Sequence, residues 1–336
     1  MTPTVFGRLA DGRPVHAARL AAPGGLEVEI LDYGAIVRRL AAPSRAGRVE
    51  TVLGFDDVAG YEADTSYQGC IVGRCANRIG RARFELDGEA FAVDATEPPN
   101  CLHGGRPGFG KRLWTFEAAD GTSATLAYLS PDGESGFPGA VSLRVVFTLI
   151  APMTLEIAYA AVTDRPTPLN LTHHLYFNLS GDHRRAILDH DLEIAGETIT
   201  PVEADLIPTG AFMPVEGTPF DLLAPTRIGA VLAGEHPQLR TGGGIDHNWV
   251  LEHGASPAVR LTSPETGLGL ALETDQPGVQ VYSSQGLGAP FVRHGGLALE
   301  PQGFPDAVNQ PAFPSVIVRP GQTYRRRAAY HFYRAG

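Results

Sequence analysis

Short stretches of alternating apolar and polar residues fill the intervals between the glycines and prolines of this chain. Leu26-Glu27-Val28-Glu29-Ile30 alternates with the period of two that a half-buried strand requires. Phe84-Glu85-Leu86 and Glu89-Ala90-Phe91-Ala92-Val93 flank Asp87-Gly88, a pair suited to the positive φ angles of a tight turn, and predict a hairpin. Residues Val141 to Ile150 and Thr154 to Val162 predict a second strand pair, with Leu143, Val145, Phe147 and Leu149 on one face. Further strands are expected at Asp191–Ile194, Ala258–Thr262, Leu268–Thr274, Gly278–Tyr282, Leu297–Glu300, Ser315–Val318 and Gln322–Tyr333. Helical periodicity is confined to Asp56–Ala63 and Pro225–Leu232. Many strands, no strand–helix repeat and no linker predict an all-β, antiparallel β-sandwich, with residues 1–336 forming one large domain.

Composition narrows the class. The 336 residues are 43% hydrophobic and 19% charged, as in a water-soluble globular protein. The formal net charge is −10, Lys111 is the only lysine, and the one basic run, Arg325-Arg326-Arg327, lies in an alternating segment that divides it between two faces. No clustered positive field is present for nucleic acid or an anionic membrane. Cys70, Cys75 and Cys101 make neither a complete disulfide set nor a paired zinc motif. The N-terminus lacks a signal-peptide pattern and no run is long and apolar enough to span a bilayer, so a reducing cytoplasm is expected.

Four groups of segments carry polar residues in unusual settings: Gly73 to Gly80 with Arg74, Asn77 and Arg78; Pro98 to Gly105 with His103; Leu169 to Asn178 with His173 and His174; and Asp246-His247-Asn248 together with Leu297 to Gln302. Each has an ordinary reading. Arg78 would serve as a surface ion-pair partner, His103 as a turn cap, and either adjacent histidine as a core residue, since the two must point to opposite faces of a strand. Glu300 resists such a reading. It ends an apolar run on the face of Ala298, and an unpaired carboxylate is rarely buried without a partner or a ligand.

The run Asn100-Cys101-Leu102-His103-Gly104-Gly105 resembles a motif of the aldose 1-epimerases, or galactose mutarotases. Leu171 to Leu179, Pro201-Val202 with Leu206 to Gly210, Asp246-His247-Asn248, Gln276 to Gln280, and Glu300 to Gln310 are similar to further family segments, in family order along nearly the whole chain. The resemblance implies a galactose mutarotase-like supersandwich with sugar bound in an open cleft. It implies Glu300 as general base, His174 as general acid, His103 as an assisting donor, and Asn77, Arg78, Asp246 and Gln280 as substrate-binding residues, with no cofactor and no metal. Departures fall at His173, often asparagine in relatives, at Cys75 and at Pro301.

The chemistry fits those types. Ring opening takes a proton from the C1 hydroxyl and gives one to the ring oxygen, and a carboxylate and an imidazole do both. Reference pKa values of roughly 4.3 and 6.5 predict an ionised Glu300 beside a protonated His174. Trp249 or Phe304 is the expected aromatic platform for the sugar. Three other readings stand beside this one. A hexose-6-phosphate 1-epimerase would draw on Arg74, Arg78, Arg106 and Lys111. A sugar-binding protein without catalysis would need no proton-transfer set. A metal hydrolase would use His103, His174, Asp246 and His247.

Overall fold

The computed structural model describes residues 2–45 and 47–335, and strands dominate it. Both predicted helical segments shorten: Asp57 caps a helix at Val58–Ala63 through its side chain, and the second begins only at Ile228, after a two-residue strand at Thr226–Arg227. A third short helix, Pro237–Gly242, follows His236, whose ring accepts from the Gln238 N–H. The Asp87-Gly88 hairpin forms, with φ of 54° and 81° at the two turn residues.

Nine strands make the largest sheet, in the order 115–119, 123–130, 141–151, 154–163, 324–334, 268–274, 259–263, 191–194 and 226–227. A six-stranded sheet runs 176–177, 297–302, 278–282, 246–250, 198–200 and 213–214, and a five-stranded meander is built from residues 4–44 and 47–50. All named strand pairs are antiparallel, and Ser315–Val318 contracts to Ile317–Val318. One apolar core draws Leu20 and Leu26 from the meander, Phe147, Ile157 and Tyr330 from the large sheet, and Trp249, Val281 and Leu299 from the six-stranded sheet.

Antiparallel register decides what the other face of the six-stranded sheet presents. Directly opposed residues share a face. Glu300 opposes Gln280, Gln280 opposes Asn248, and Asn248 opposes Thr200. Leu297 and Leu299, alternating with Ala298 and Glu300, enter the core, so the strand is amphipathic although all six of its residues are buried. The arginine run divides as expected: Arg326 lies over the Tyr324 ring while Arg325 and Arg327 are exposed.

Candidate active site

Above that polar row lies a cleft of about 500 Å³ containing Asn77, Arg78, His103, His174, Asp246 and Glu300. Its size falls in the range of roughly 300–1,000 Å³ usual for small-molecule sites. Gln280, the seventh residue expected there, lies beneath, donating from Nε2 to Asp246 Oδ1 at 2.6 Å. His174 Nε2 stands 3.6 Å from Glu300 Oε1, and the His103 and His174 rings meet edge-on with centroids 5.3 Å apart.

His173 and His174 diverge as alternation requires. His173 points into the core, with Nδ1 2.8 Å from the Tyr159 hydroxyl and Nε2 3.0 Å from the Ala35 carbonyl oxygen. The departure at position 173 therefore ties the large sheet to the meander and leaves the cleft untouched. Cys75 packs with Ile79, Cys101 and Phe137, away from it.

Two strained loops hold His103. Asn77 and His103 both adopt positive φ, 59° and 50°, a conformation uncommon for residues other than glycine and enriched at functional sites. They are locked to each other: the His103 N–H donates to the Asn77 carbonyl at 2.9 Å, and the Asn77 N–H donates to His103 Nδ1 at 3.2 Å. Gly104 permits the approach, since a Cβ there would sit 2.0 Å from the Gly73 carbonyl oxygen.

That second hydrogen bond fixes the chemistry of His103. With Nδ1 accepting, the ring proton resides on Nε2. Burial and the neighbouring charges of His174 and Arg78 hold His103 well below the usual histidine range. It is a neutral, oriented donor. The same bond speaks against a metal. The ligating atoms of His103, His174 and Glu300 come within 4.8 Å of one another. A histidine bound through Nε2 must carry its proton on Nδ1 and usually gives it to an acceptor, whereas here Nδ1 faces an N–H donor. His247, the other expected ligand, is fully buried, accepting from the Asp246 N–H and paired with Gln238 Oε1. These residues do not fit a metal centre.

Electrostatics correct one expectation. Burial pushes Glu300 well above the usual carboxylate range, reinforced by Asp246 and opposed by Arg78. Burial also pulls His174 down to about 3. Both groups are therefore driven toward neutral forms, in place of the ionised pair that reference values predict. The proton count is unchanged, because a protonated carboxyl with a neutral imidazole holds one proton, as does a carboxylate with an imidazolium.

The expected platform also needs correction. Trp249 is completely buried against Phe220, and Phe304 packs with Phe212 and Phe313. Asp246 lines the cleft and Asn248 shares its face of the strand, so alternation sends Trp249 to the core. The aromatic walls are instead Tyr67, Tyr176 and Tyr282. The Tyr67 ring meets His103 at 4.4 Å and His174 at 6.0 Å. Tyr176 and Tyr282 lie two residues beyond His174 and Gln280, a spacing that signals a shared face. Glu97 was missed as well. It grips Arg78 at 2.5 and 3.0 Å, and Asp246 Oδ2 lies 3.7 Å from the same guanidinium.

The four cations expected for a phosphate are not assembled at the cleft. Arg74 is buried, donating to Ser130, Pro131, Pro138 and Thr167. Lys111 is spent on the carbonyls of Tyr61, Glu62 and Asp64. Arg106 does not line the cleft, and Arg78 is matched by two carboxylates.

A β-sandwich with a carboxyl–imidazole pair in a polar, aromatic-walled cleft suits an enzyme that performs acid–base chemistry on a small hydroxylated molecule. A family profile described as aldose 1-epimerase matches residues 16–331. The chain is 38% identical to galactose mutarotase of Rattus norvegicus, covering 99% of this chain and 98% of that one. It is 32% identical to aldose 1-epimerase of Escherichia coli K12, with 96% of each covered. A solved GalM/aldose epimerase homologue from C. elegans superposes with a TM-score of 0.89 at 28% identity, covering 96% of this chain and 100% of that one. The chain belongs to the aldose 1-epimerase family and is a carbohydrate isomerase.

Proposed function

We propose that this chain, folded as one domain, interconverts the α and β anomers of free hexoses such as galactose and glucose, with Glu300 as general base and His174 as general acid. The observation that carries the assignment is the 3.6 Å approach of His174 Nε2 to Glu300 Oε1 within a sugar-sized cleft. In the opening step the Glu300 carboxylate takes the proton of the C1 hydroxyl. The C1–O1 bond becomes a carbonyl, the C1–O5 bond breaks, and O5 takes the proton of the His174 imidazolium. That step leaves both side chains neutral, the forms that burial favours. Rotation about C1–C2 and the reverse transfers close the ring on the other face.

His103, a fixed neutral donor, would hydrogen-bond O5 or a neighbouring hydroxyl as charge builds there. Arg78, Asn77, Asp246 and Gln280 supply donors and acceptors for the remaining hydroxyls. The relatives' names support galactose as a substrate, and the matched charges around Arg78 favour a free sugar over a sugar phosphate.

Polarimetry on freshly dissolved α-D-galactose and α-D-glucose tests the reading. The protein should hasten the approach to the unchanged equilibrium rotation, and His174→Asn should slow that approach at least about a hundredfold while remaining folded. A folded His174→Asn protein as fast as wild type would remove His174 from its role. Glucose 6-phosphate processed faster than glucose would move the chain to the phosphate branch.

A further inference from the structure

Glu300 shares its face of the sheet with an unusual set of neighbours. Gln302, two residues on, is completely buried, and Asn248 and Thr200, in the row that starts at Glu300, are each 1% exposed. Neither the amide oxygen nor the amide nitrogen of Gln302 or Asn248 has a hydrogen-bond partner among the described residues, and the same holds for Thr200 Oγ1, Gln280 Oε1 and Glu300 Oε2. Seven such atoms on one sheet face are far outside what buried polar groups tolerate.

Register brings the two amides together. Gln302 opposes Gly278, and the missing side chain there makes room for Asn248, whose Oδ1 would stand 2.4 Å from a Cβ at Gly278. The Phe304 ring closes the gap, 2.9 Å from the same point. The glycine thus leaves a recess that a carboxamide and an aromatic ring fill, on the strand beside the proposed base. A buried water requires two to four polar partners, and the unpartnered atoms of Gln302, Asn248 and Glu300 on this face offer them.

We propose that Gln302 and Asn248 are positioning residues that hold ordered water against Oε2 of Glu300, the oxygen other than the one nearest His174. Water donating to that oxygen stabilises the carboxylate without occupying the oxygen that takes the sugar's proton. The amides suit the task because each can accept from the water through oxygen and donate to it through nitrogen. The proposal rests on Glu300 being the base. The other titratable groups facing Glu300 are His174, His103, Asp246 and Arg78, while Tyr176, Tyr282, Tyr330 and Cys70 feel its charge from farther off. None of these is altered in the variants below.

Two measurements test it. A high-resolution crystal structure of the wild-type protein should show water bonded to Glu300 Oε2 and to at least one of the two amides; the absence of such a water overturns the proposal. In Gln302→Met and Asn248→Leu, which keep the bulk and remove the amide, the acid limb of kcat/KM should move to higher pH by about one unit or more, because the carboxylate loses a charge-assisted hydrogen bond. Asn248→Ser, which retains a polar group and room for water, should return the limb toward wild type. A uniform loss of rate with the limb unmoved marks a merely structural role and overturns the proposal. An active Glu300→Gln protein would instead defeat the assignment of the base, a result separable from both.

Discussion

Replacing Glu300 by glutamine keeps shape and volume but removes the only carboxylate within reach of His174 Nε2 among the described residues. No neighbour can substitute. Asp246 accepts from Gln280 at 2.6 Å and lies 3.7 Å from Arg78, and Glu97 is bound through both oxygens to Arg78. The loss should therefore approach the full worth of a general base, roughly 10²- to 10⁴-fold, or about 2.7 to 5.4 kcal/mol in the barrier. Stability should change in the opposite direction. The folded protein holds the Glu300 pKa above its ordinary value of 4.5. Below that value both folded and unfolded chains carry the neutral acid. As pH rises, the unfolded chain ionises freely and the folded one does so only against burial, so stability is lost. Glutamine cannot ionise. Glu300→Gln should accordingly melt above wild type at pH 8 and lose that advantage as pH falls below about 4.5. Polarimetry at saturating galactose and thermal melts at pH 4 and pH 8 measure the two effects. Less than a tenfold loss of rate, or a lower melting temperature than wild type at pH 8, would refute the reasoning.

Because the base and the acid act in the same ring-opening step, Glu300→Gln combined with His174→Asn should be little slower than the worse single variant, which parallel progress curves will show; multiplicative losses would mean independent roles. Acid should unfold the protein through its buried histidines. Burial lowers His173 to about 4 and His174 and His247 to about 3. The unfolded chain therefore binds more protons from pH 6.5 downward, and stability should fall as pH drops through that window, read by near-ultraviolet circular dichroism. Replacing His173 by leucine should cost about 1–3 kcal/mol in denaturant titrations, since it leaves the Tyr159 hydroxyl and the Ala35 carbonyl unpaired, with kcat/KM nearly unchanged. Exhaustive chelation should leave the polarimetric rate unaltered; a loss restored by Zn²⁺ would contradict the tautomer assigned to His103.

Alternation made part of this site legible. It paired Glu300 with the Ala298 face and allowed only one of His173 and His174 into a cleft, and both expectations match the coordinates. Read consistently, it would also have sent Trp249 inward, because Asp246 and Asn248 alternate onto the opposite face of the strand. What alternation cannot supply is register. The row Glu300–Gln280–Asn248–Thr200 joins four segments spread over a hundred residues, and only the sheet shows that they are neighbours. Glu97 was beyond reach for a similar reason: its value lies in Arg78, brought to it by two loops with no common period. The charge states failed on different grounds. Reference pKa values describe groups in water, and they predicted an ionised pair. The fold that brings Glu300 and His174 within 3.6 Å also strips water from both, so the geometry that makes proton exchange possible disfavours separated charge. On the proposed assignment, opening therefore ends on the neutral pair that burial favours, and closing must regenerate the ionised pair against that preference.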